Sequence, residues 1–537
     1  MNNQEQINNQ EQMNKQIIQK TKNPNKKIVI SIIIIVITAF VSLLVVNKEK
    51  LFNNNKDNNK NTISTEPNKT YSQYRINSNS LEYFDISFLQ LENKTVNKIY
   101  SPLSIKFALG MLNEGTDGDS KEQISSVIGN YKSNKYLNSA NMSFANAIFV
   151  RDTYKANIKD EYINTLSTKY NAEVIYDSFT STDNVNNWVS NKTFNLVNNL
   201  LDSVNELDFI LINALAIDME WKNKIQSEDD SYSVNFQHEN FSHFVSALKG
   251  IGYQPLEFYN YDKKAKSVQI AAVANKYDIV KELGENKIRQ EVGEAYKKWL
   301  AEGACGSPEQ EPDVNTYLNT YIGEINSNYK QISSSTDFYF YDDENVKVFA
   351  KDLKEYNNTT LQYIGIMPKQ EELDKYIKVT DADKINTIIN NLKGIELDSF
   401  KDGVITKISG YVPMFKFDYQ LDLMTDLKSM GITNIFKLGK ANLTKITDNK
   451  NAFIDSAIHK ANIEFSNEGI KAAAATAVGG FGSATCGFEY TYDVPVEEIN
   501  LTFDKPFIFL IRDKKTNEAW FAGTVYEPVE WEPNPGF

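Results

Sequence analysis

The sequence predicts an α+β fold for residues 80–530, because two kinds of apolar pattern follow one another along the chain. Residues 101–113 and 185–200 have the apolar spacing of amphipathic helices. The strand patterns are short apolar runs, which lie at 209–219, 363–367 and 507–511. Since helical patterns come mainly early and strand patterns mainly late, the domain is expected to be of the α+β class.

The chain ahead of this domain divides into three parts by composition. Residues 1–27 are polar and predicted to be a disordered cytoplasmic N-terminus, and residues 47–79 form an Asn-rich stalk. Residues 28–46 are uncharged and rich in Ile and Val, which suits a helix that spans a bilayer core of roughly 30 Å. Lysines before this run predict that the domain lies outside. We expect a single-pass signal-anchor at the cell membrane, with a cleaved signal peptide as the alternative.

The composition argues against several functions. The net charge of −13 argues against nucleic-acid binding, which needs basic patches. The two cysteines, Cys305 and Cys486, exclude a disulfide framework, and whether they pair stays open. His238 and His243 are five positions apart, unlike the histidines of a zinc-binding HExxH helix. No phosphate-binding loop or nucleophile elbow is present, so no enzyme activity, cofactor or metal is predicted.

Residues 264–335 depart from the pattern of the rest of the domain. They contain a long charged stretch with apolar residues every four or five positions, as on one face of an amphipathic helix. These residues are Ile279, Leu283, Ile288, Val292, Tyr296 and Leu300. The pattern predicts an inserted helical subdomain.

Five segments, in this order, resemble the serpin family. They are NKIYSPLSIKFALGMLNEGTDGDSKEQI from Asn97, INALAIDMEWKNK from Ile212, YVPMFKFDYQLDLMTDLKSMGITNIF from Tyr411, IHKANIEFSNEGIKAAAATAV from Ile458 and FDKPFIFLIRDKKTNEAWFAGTVYEP from Phe503. The resemblance covers nearly all of residues 80–530. It implies about eight or nine helices around three β-sheets, with a reactive-centre loop and its extension over 469–502.

The resemblance also implies a function. In serpins, a target protease cleaves the loop, and the N-terminal part of the loop then inserts into a sheet while the protease is held as a covalent acyl complex. The chain is therefore expected to be a monomeric suicide-substrate inhibitor whose partner is a protease with a pocket for small residues. The alternative is a non-inhibitory serpin fold that serves as a surface adhesion or ligand-binding protein.

The hinge of this loop is expected at a run of small residues. Alone, AAAATA favours a helix, but here it follows a strand-like segment and a glycine, and alanines fit between two existing strands. The hinge comprises Glu468, Gly469, Ile470, Ala472, Ala473, Ala474, Ala475, Thr476 and Ala477. The family register places Ile470, Ala472, Ala474 and Thr476 towards the core and Ala473 towards solvent.

Two features of the loop depart from the family. Ile470 stands where inhibitory members usually have Thr or Ser, and Gly479, Gly480 and Gly482 would each weaken an inserted strand by roughly 0.5–1 kcal/mol. The loop is also about a dozen residues longer than is usual. Counting from the hinge places the cleaved bond at Ser483–Ala484, with Gly482–Ser483 and Thr485–Cys486 still open.

The resemblance implies a second group of residues, which control the opening of the sheet. Ser101, Ser104, Asn213 and His459 match a polar cluster beneath the sheet, where strands part. Trp221 matches a tryptophan at the top of the sheet, where insertion begins.

Overall fold

The computed structural model of the chain combines helices with mostly antiparallel sheets. It describes residues 72–92, 94–132, 136–204, 207–225, 233–237, 262–303, 313–328, 337–396, 399–455, 457–467, 469–470, 488 and 495–530. The predicted disordered N-terminus, the predicted anchor at 28–46 and most of the predicted stalk lie outside these residues, as do both cysteines. No helix among the described residues is long and apolar enough to cross a membrane.

Eleven α-helices occur in the described residues. They are α1 (Tyr83–Leu91), α2 (Pro102–Glu114), α3 (Gly118–Ile128), α4 (Asp160–Lys169), α5 (Asp183–Lys192), α6 (Ile279–Leu283), α7 (Glu285–Ala301), α8 (Val314–Asn328), α9 (Leu373–Lys378), α10 (Ala382–Asn390) and α11 (Leu423–Ser429). We call α6, α7 and α8 the three-helix segment. Eight described helices lie outside it, in agreement with the eight or nine that were expected.

The strands fall into three groups. They are β1 (Lys98–Tyr100), β2 (Met142–Arg151), β3 (Ala172–Asp177), β4 (Phe209–Ile217), β5 (Met219–Glu220), β6 (Ser233–Gln237), β7 (Asp262–Asn275), β8 (Phe338–Asp342), β9 (Val346–Asp352), β10 (Leu361–Pro368), β11 (Lys393–Gly394), β12 (Ile405–Pro413), β13 (Phe415–Leu421), β14 (His459–Phe465), β15 (Gly469–Ile470), β16 (Val496–Asn500), β17 (Phe507–Asp513) and β18 (Ala519–Val525). One of the three groups consists of two separately hydrogen-bonded parts. With these two parts counted as one sheet, the groups correspond to the three predicted sheets.

The largest sheet has seven strands in the order β1-β18-β17-β10-β9-β8-β11. Its strands β10, β17 and β18 are buried along their whole length, because other elements cover both faces. A second sheet has the order β16-β12-β7-β6. Trp520 and Tyr363 are among the largest side chains of the core that surrounds the seven-stranded sheet.

The third group is one sheet divided lengthwise. Its parts have the orders β3-β2-β4 and β13-β14-β15-β5. Strand β5 follows β4 after a single residue, Asp218, so the two parts are joined at the end of the sheet that carries β15. We call this the split sheet, and the space between β4 and β14 the gap.

Two sequence-predicted boundaries need correction. The helix expected over 185–200 ends at Lys192, because Phe194 and Asn195 adopt positive φ angles of 53° and 61°, which a helix does not accept. The helical subdomain expected over 264–335 begins with strand, since residues 262–275 form β7 and pair with β12. Its helices begin at Ile279, and Gly284, at φ 83°, separates α6 from α7.

Candidate strand-insertion site

We call the end of the gap at β15 its upper end and the opposite end its lower end. The gap contains a cavity of about 420 Å³ between the lower half of β4 and the start of β14. A void of about 20 Å³ continues it upward, between residues 215–217 and 462–464. In the described part of the chain, β4 pairs only with β2, and β14 pairs only with β13 and, at Phe465, with β15. Both strands therefore present unpaired edges to the space between them, which is the arrangement that accepts an added strand.

Side chains along both edges alternate between two faces. On β14, His459, Ala461, Ile463 and Phe465 are buried, and the residues between them are partly exposed. On β4, Ile212 packs against α5, whereas residues 209, 211 and 215 pack against the main core and remain half-exposed. Apart from Ile210, the partly exposed apolar residues of β4 therefore lie on the core face, where the gap leaves them without a neighbour.

The structure brings the four predicted cluster residues together at the lower end of the gap. Ser101, Ser104, Asn213 and His459 all line the cavity. The backbone N–H of Ser101 donates a hydrogen bond to Nε2 of His459 at 2.8 Å, and the Ser104 hydroxyl lies 3.4 Å from the carbonyl oxygen of Asn213. Ser101 also caps α2, because its Oγ accepts from the N–H of Ser104 at 3.1 Å. The cluster thus joins the start of α2 to both edges of the gap.

His459 is held as a neutral ring. Burial lowers its pKa to about 4 from an ordinary value of 6.5, because a charged imidazolium would lose its hydration. The neutral ring accepts the Ser101 hydrogen bond through Nε2, so its proton belongs on Nδ1.

Two further polar side chains were not predicted, namely Asn146 on β2, which contacts Asn213, and Asn462 on β14, which lines the upper void. The Nδ2 of Asn213 donates to Oδ1 of Asn146 at 2.8 Å, which ties β4 to β2. The Oδ1 atoms of Asn213 and Asn462 are buried without a hydrogen-bond partner in the described structure. Asn462 lies on β14, so each edge of the gap carries an acceptor that is not satisfied.

Trp221 lies at the opposite, upper end of the gap. Its side chain is fully buried, and its indole N–H donates to the carbonyl oxygen of Ser466 at 2.9 Å. Its ring contacts those of Phe465, at 5.5 Å between centroids, and Tyr363, at 6.0 Å. The residue therefore fastens the end of β5 to the end of β14.

The first residues of the predicted hinge lie between those two ends. Gly469 pairs with Glu220, and Ile470 pairs with Met219 on one side and Phe465 on the other. Strand β15 is thus a short strand antiparallel to both neighbours, directly above the unpaired edges. Glu468, residues 472–477 and the Ser483–Ala484 bond lie outside the described residues.

A family model described as Serpin (serine protease inhibitor) matches residues 84–271 and 324–528. The chain belongs to the serpin family. The match omits residues 272–323, which contain α6, α7 and most of α8. The serpin fold that the sequence implied is confirmed.

Curated relatives and solved structures agree with this assignment. Neuroserpin of Mus musculus is 24% identical over 87% of this chain and 93% of its own length, and Serpin B3 of Homo sapiens is 23% identical over 84% and 98%. The native state of the thermophilic serpin tengpin matches with a TM-score of 0.55 and 20% identity, over 88% of this chain and 97% of its own. Thyroxine-binding globulin in complex with thyroxine matches with a TM-score of 0.53 and 16% identity, over 83% and 98%.

Proposed function

We propose that this serpin is a suicide-substrate inhibitor of proteases, not an enzyme. The observation that carries the proposal is the unfilled strand position between β4 and β14, with Gly469 and Ile470 already hydrogen-bonded at its upper end. The protease nucleophile would form an ester or thioester with the carbonyl carbon of Ser483, and Ala484 would leave as a free amine. The hinge would then fill the gap and carry the attached protease with it.

The described pairs of Gly469 and Ile470 support one register for the inserted strand. If the antiparallel pairing of Ile470 with Met219 and Phe465 continues, Ala474 comes between Leu215 and Ala461. In the same register, Thr476 comes between Asn213 and His459, in the polar cluster. Directly opposite residues point to the same face of a sheet, so after insertion Ile470, Ala472, Ala474 and Thr476 would share the buried face of β14.

Filling the gap would stabilise the fold considerably. A strand of about ten residues would satisfy the unpaired edges of β4 and β14, and backbone hydrogen bonds contribute about 1 kcal/mol each. It would also cover the half-exposed side chains of Leu211 and Leu215. Together these effects are on the order of 10 kcal/mol, which is comparable to the whole stability of many domains.

Incubation with elastase-like and subtilisin-like proteases tests the proposal. An SDS-stable complex is expected, as is a large rise in thermal stability after the loop is cut. Clean loop cleavage with full protease activity and no gain in stability would reject inhibition.

Substitution of a buried hinge position sharpens the test. Ala474→Arg would place an unpaired charge between Leu215 and Ala461, so cleavage should continue while trapping is lost. Ala474→Ser is the matched control and should still trap protease. Ala473→Arg is a less suitable control, although the family register places Ala473 towards solvent, because its expected neighbour Ala216 is only 3% exposed.

Ligand binding without inhibition is the second candidate. The cavity of about 420 Å³ is within the size range of small-molecule pockets. Absence of both trapping and stabilisation after cleavage would favour this function.

We also propose that residues 28–46 tether the domain to the outside of a cell membrane. The uncharged run and the lysines before it support this topology. Protease shaving of intact cells should release a fragment that begins within residues 50–80. A domain that resists shaving would contradict the topology.

A further inference from the structure

Three aromatic rings of the three-helix segment surround one residue of the reactive-loop extension. Tyr296 on α7 stacks on Tyr317 of α8 at 4.2 Å between centroids, and Trp299 lies 5.7 Å from Tyr296. Phe488 contacts all three, at 5.3 Å from Tyr296, 5.8 Å from Trp299 and 5.6 Å from Tyr317. Tyr296 is fully buried and Phe488 half-buried. These edge-on and tilted contacts are the favourable geometry for aromatic pairs. We call the three rings the aromatic recess.

The recess is attached firmly to the rest of the domain. Helices α7 and α8 share a small core that includes Ile288, Val292 and Leu318, and Ile405 at the start of β12 packs against it. The ammonium group of Lys276 donates to the carbonyl oxygen of Phe400 at 2.9 Å. Strand β12 also carries β16, with Ile405 opposite Val496. The recess and the start of β16 are therefore fixed to the same end of one strand.

Phe488 lies on the C-terminal side of the predicted cleavage site. It follows Ser483 by five residues and precedes Val496, the start of β16, by eight. Strand β12 leads into β13 at Phe415, which pairs with Phe465 at the upper end of the gap. The recess lies at the other end of β12, beside Ile405, together with Val496 at the start of β16.

We propose that the aromatic recess is an intramolecular binding site for Phe488, which prevents the uncleaved reactive loop from filling the gap. The inference rests on the loop-insertion part of the proposed function. It assigns a role to residues 279–328, most of which the family match does not cover.

Chain length supports this restraint. A strand that continues from Ile470 to Gly480 extends roughly 33 Å down the gap, at about 3.3 Å per residue. The eight residues from Gly480 to Phe488 span at most about 28 Å when fully extended. An uncleaved loop that inserts to Gly480 while Phe488 stays in the recess therefore has less chain left for its return than the length of the inserted strand. With Phe488 released, the sixteen residues from Gly480 to Val496 span up to about 56 Å, so insertion becomes possible with β16 still in place.

Cleavage removes the restraint without releasing Phe488. Once the bond between Ser483 and Ala484 is broken, the hinge is free to insert, while Phe488 remains in the recess on the other fragment. The recess thus permits insertion of a cleaved loop and opposes insertion of an intact one.

Phe488→Ala in the full chain tests the inference, with no protease present. The variant and the parent are incubated at a temperature below unfolding, and the fraction with raised thermal stability is followed, with mass spectrometry to verify that the chain is intact. We expect the variant to convert to a more stable form at least ten times faster than the parent. Trp299→Ala should have the same effect, and the double variant should convert no faster than Phe488→Ala alone.

Leu438→Ala is the matched control, because Leu438 is an apolar side chain that is 63% exposed. It should convert at the parent rate. Equal rates for the parent and a folded Phe488→Ala variant would overturn the inference, whether both convert or neither does. If the parent fails to trap protease but Phe488→Ala still converts faster, inhibition is rejected and the restraint by Phe488 stands.

Discussion

The seven-stranded sheet and the split sheet belong to one domain but differ in completeness. In the seven-stranded sheet, β10, β17 and β18 have partners on both sides and are buried throughout. In the split sheet, β4 and β14 face each other across a cavity, and apolar residues of β4 stay half-exposed. The first sheet thus has a strand at every position, whereas the second keeps an open strand position whose edges and apolar side chains are not covered.

The seven-stranded sheet and the split sheet also differ in how much room they leave for side chains. The seven-stranded sheet is packed so closely that Gly523 on β18 has the carbonyl oxygen of Lys98 only 2.0 Å from where a Cβ would stand. The predicted hinge, in contrast, consists mostly of alanines, which would leave room for its proposed entry between two strands. Substitutions in the two sheets should therefore affect different properties of the protein.

Gly523→Ala should cause the largest loss of native stability. The added methyl group would overlap backbone of β1 and the ring of Phe509, 2.5 Å away, so the free energy of unfolding should fall by about 3 kcal/mol or more. Gly293→Ala is the control, because its nearest neighbour is a Leu318 side-chain atom at 3.4 Å and α7 gains from alanine. Denaturant titration measures the free energy of unfolding of both variants. Similar free energies of unfolding for the two variants would show that the seven-stranded sheet is packed less tightly around Gly523 than these distances indicate.

Acid should weaken the split sheet through His459. Its pKa is about 4 in the folded chain and 6.5 ordinarily, so the folded state disfavours the charged form. The contribution of His459 to the free energy of unfolding is fully present above pH 6.5, where the ring is neutral in the folded and the unfolded chain. It is lost as the pH falls from 6.5 to about 4. The loss should reach about 3 kcal/mol.

Unfolding free energies measured across this pH range test the effect. In His459→Gln, the side chain can still accept the Ser101 hydrogen bond but does not titrate, so this part of the pH dependence should disappear. An unchanged slope in the variant would assign the acid sensitivity to other groups.

Much of the fold could be predicted because the informative segments are local. Residues 209–217 and 507–513 form strands as their apolar runs indicate, and the helix expected over 101–113 is α2. Ser101, Ser104, Asn213 and His459 come from distant segments and line one cavity, and the sequence grouped them only through the family resemblance.

The remaining features depend on contacts between distant segments. The gap arises from how β4 and β14 are held apart, and neither strand shows this in its own sequence. The recess joins Phe488 to rings almost two hundred residues earlier, and its one local sign is the spacing of Tyr296 and Trp299 by three on α7. An aromatic residue in a long loop predicts no partner by itself.

The smallest predicted effect concerns the charge of Lys471. If the pairing of β15 continues into an inserted hinge, Lys471 would come between two acidic residues, Asp218 and Glu464. Glu464 already pairs with Lys416 at 2.9 Å, and both edges are partly exposed here, so each attraction is modest. Lys471→Glu should reduce the gain in stability after cleavage by about 1 kcal/mol, because like charges would then face each other across both ladders.

The reversed pair, Lys471→Glu with Glu464→Lys, should recover part of this gain, and high salt should diminish the difference between the single variant and the parent. Calorimetry of the cleaved proteins measures it. If the single variant gains as much stability as the parent at low salt, either the register is different or residue 471 does not enter the sheet, and the upper end of the gap would then be closed by Gly469 and Ile470 alone.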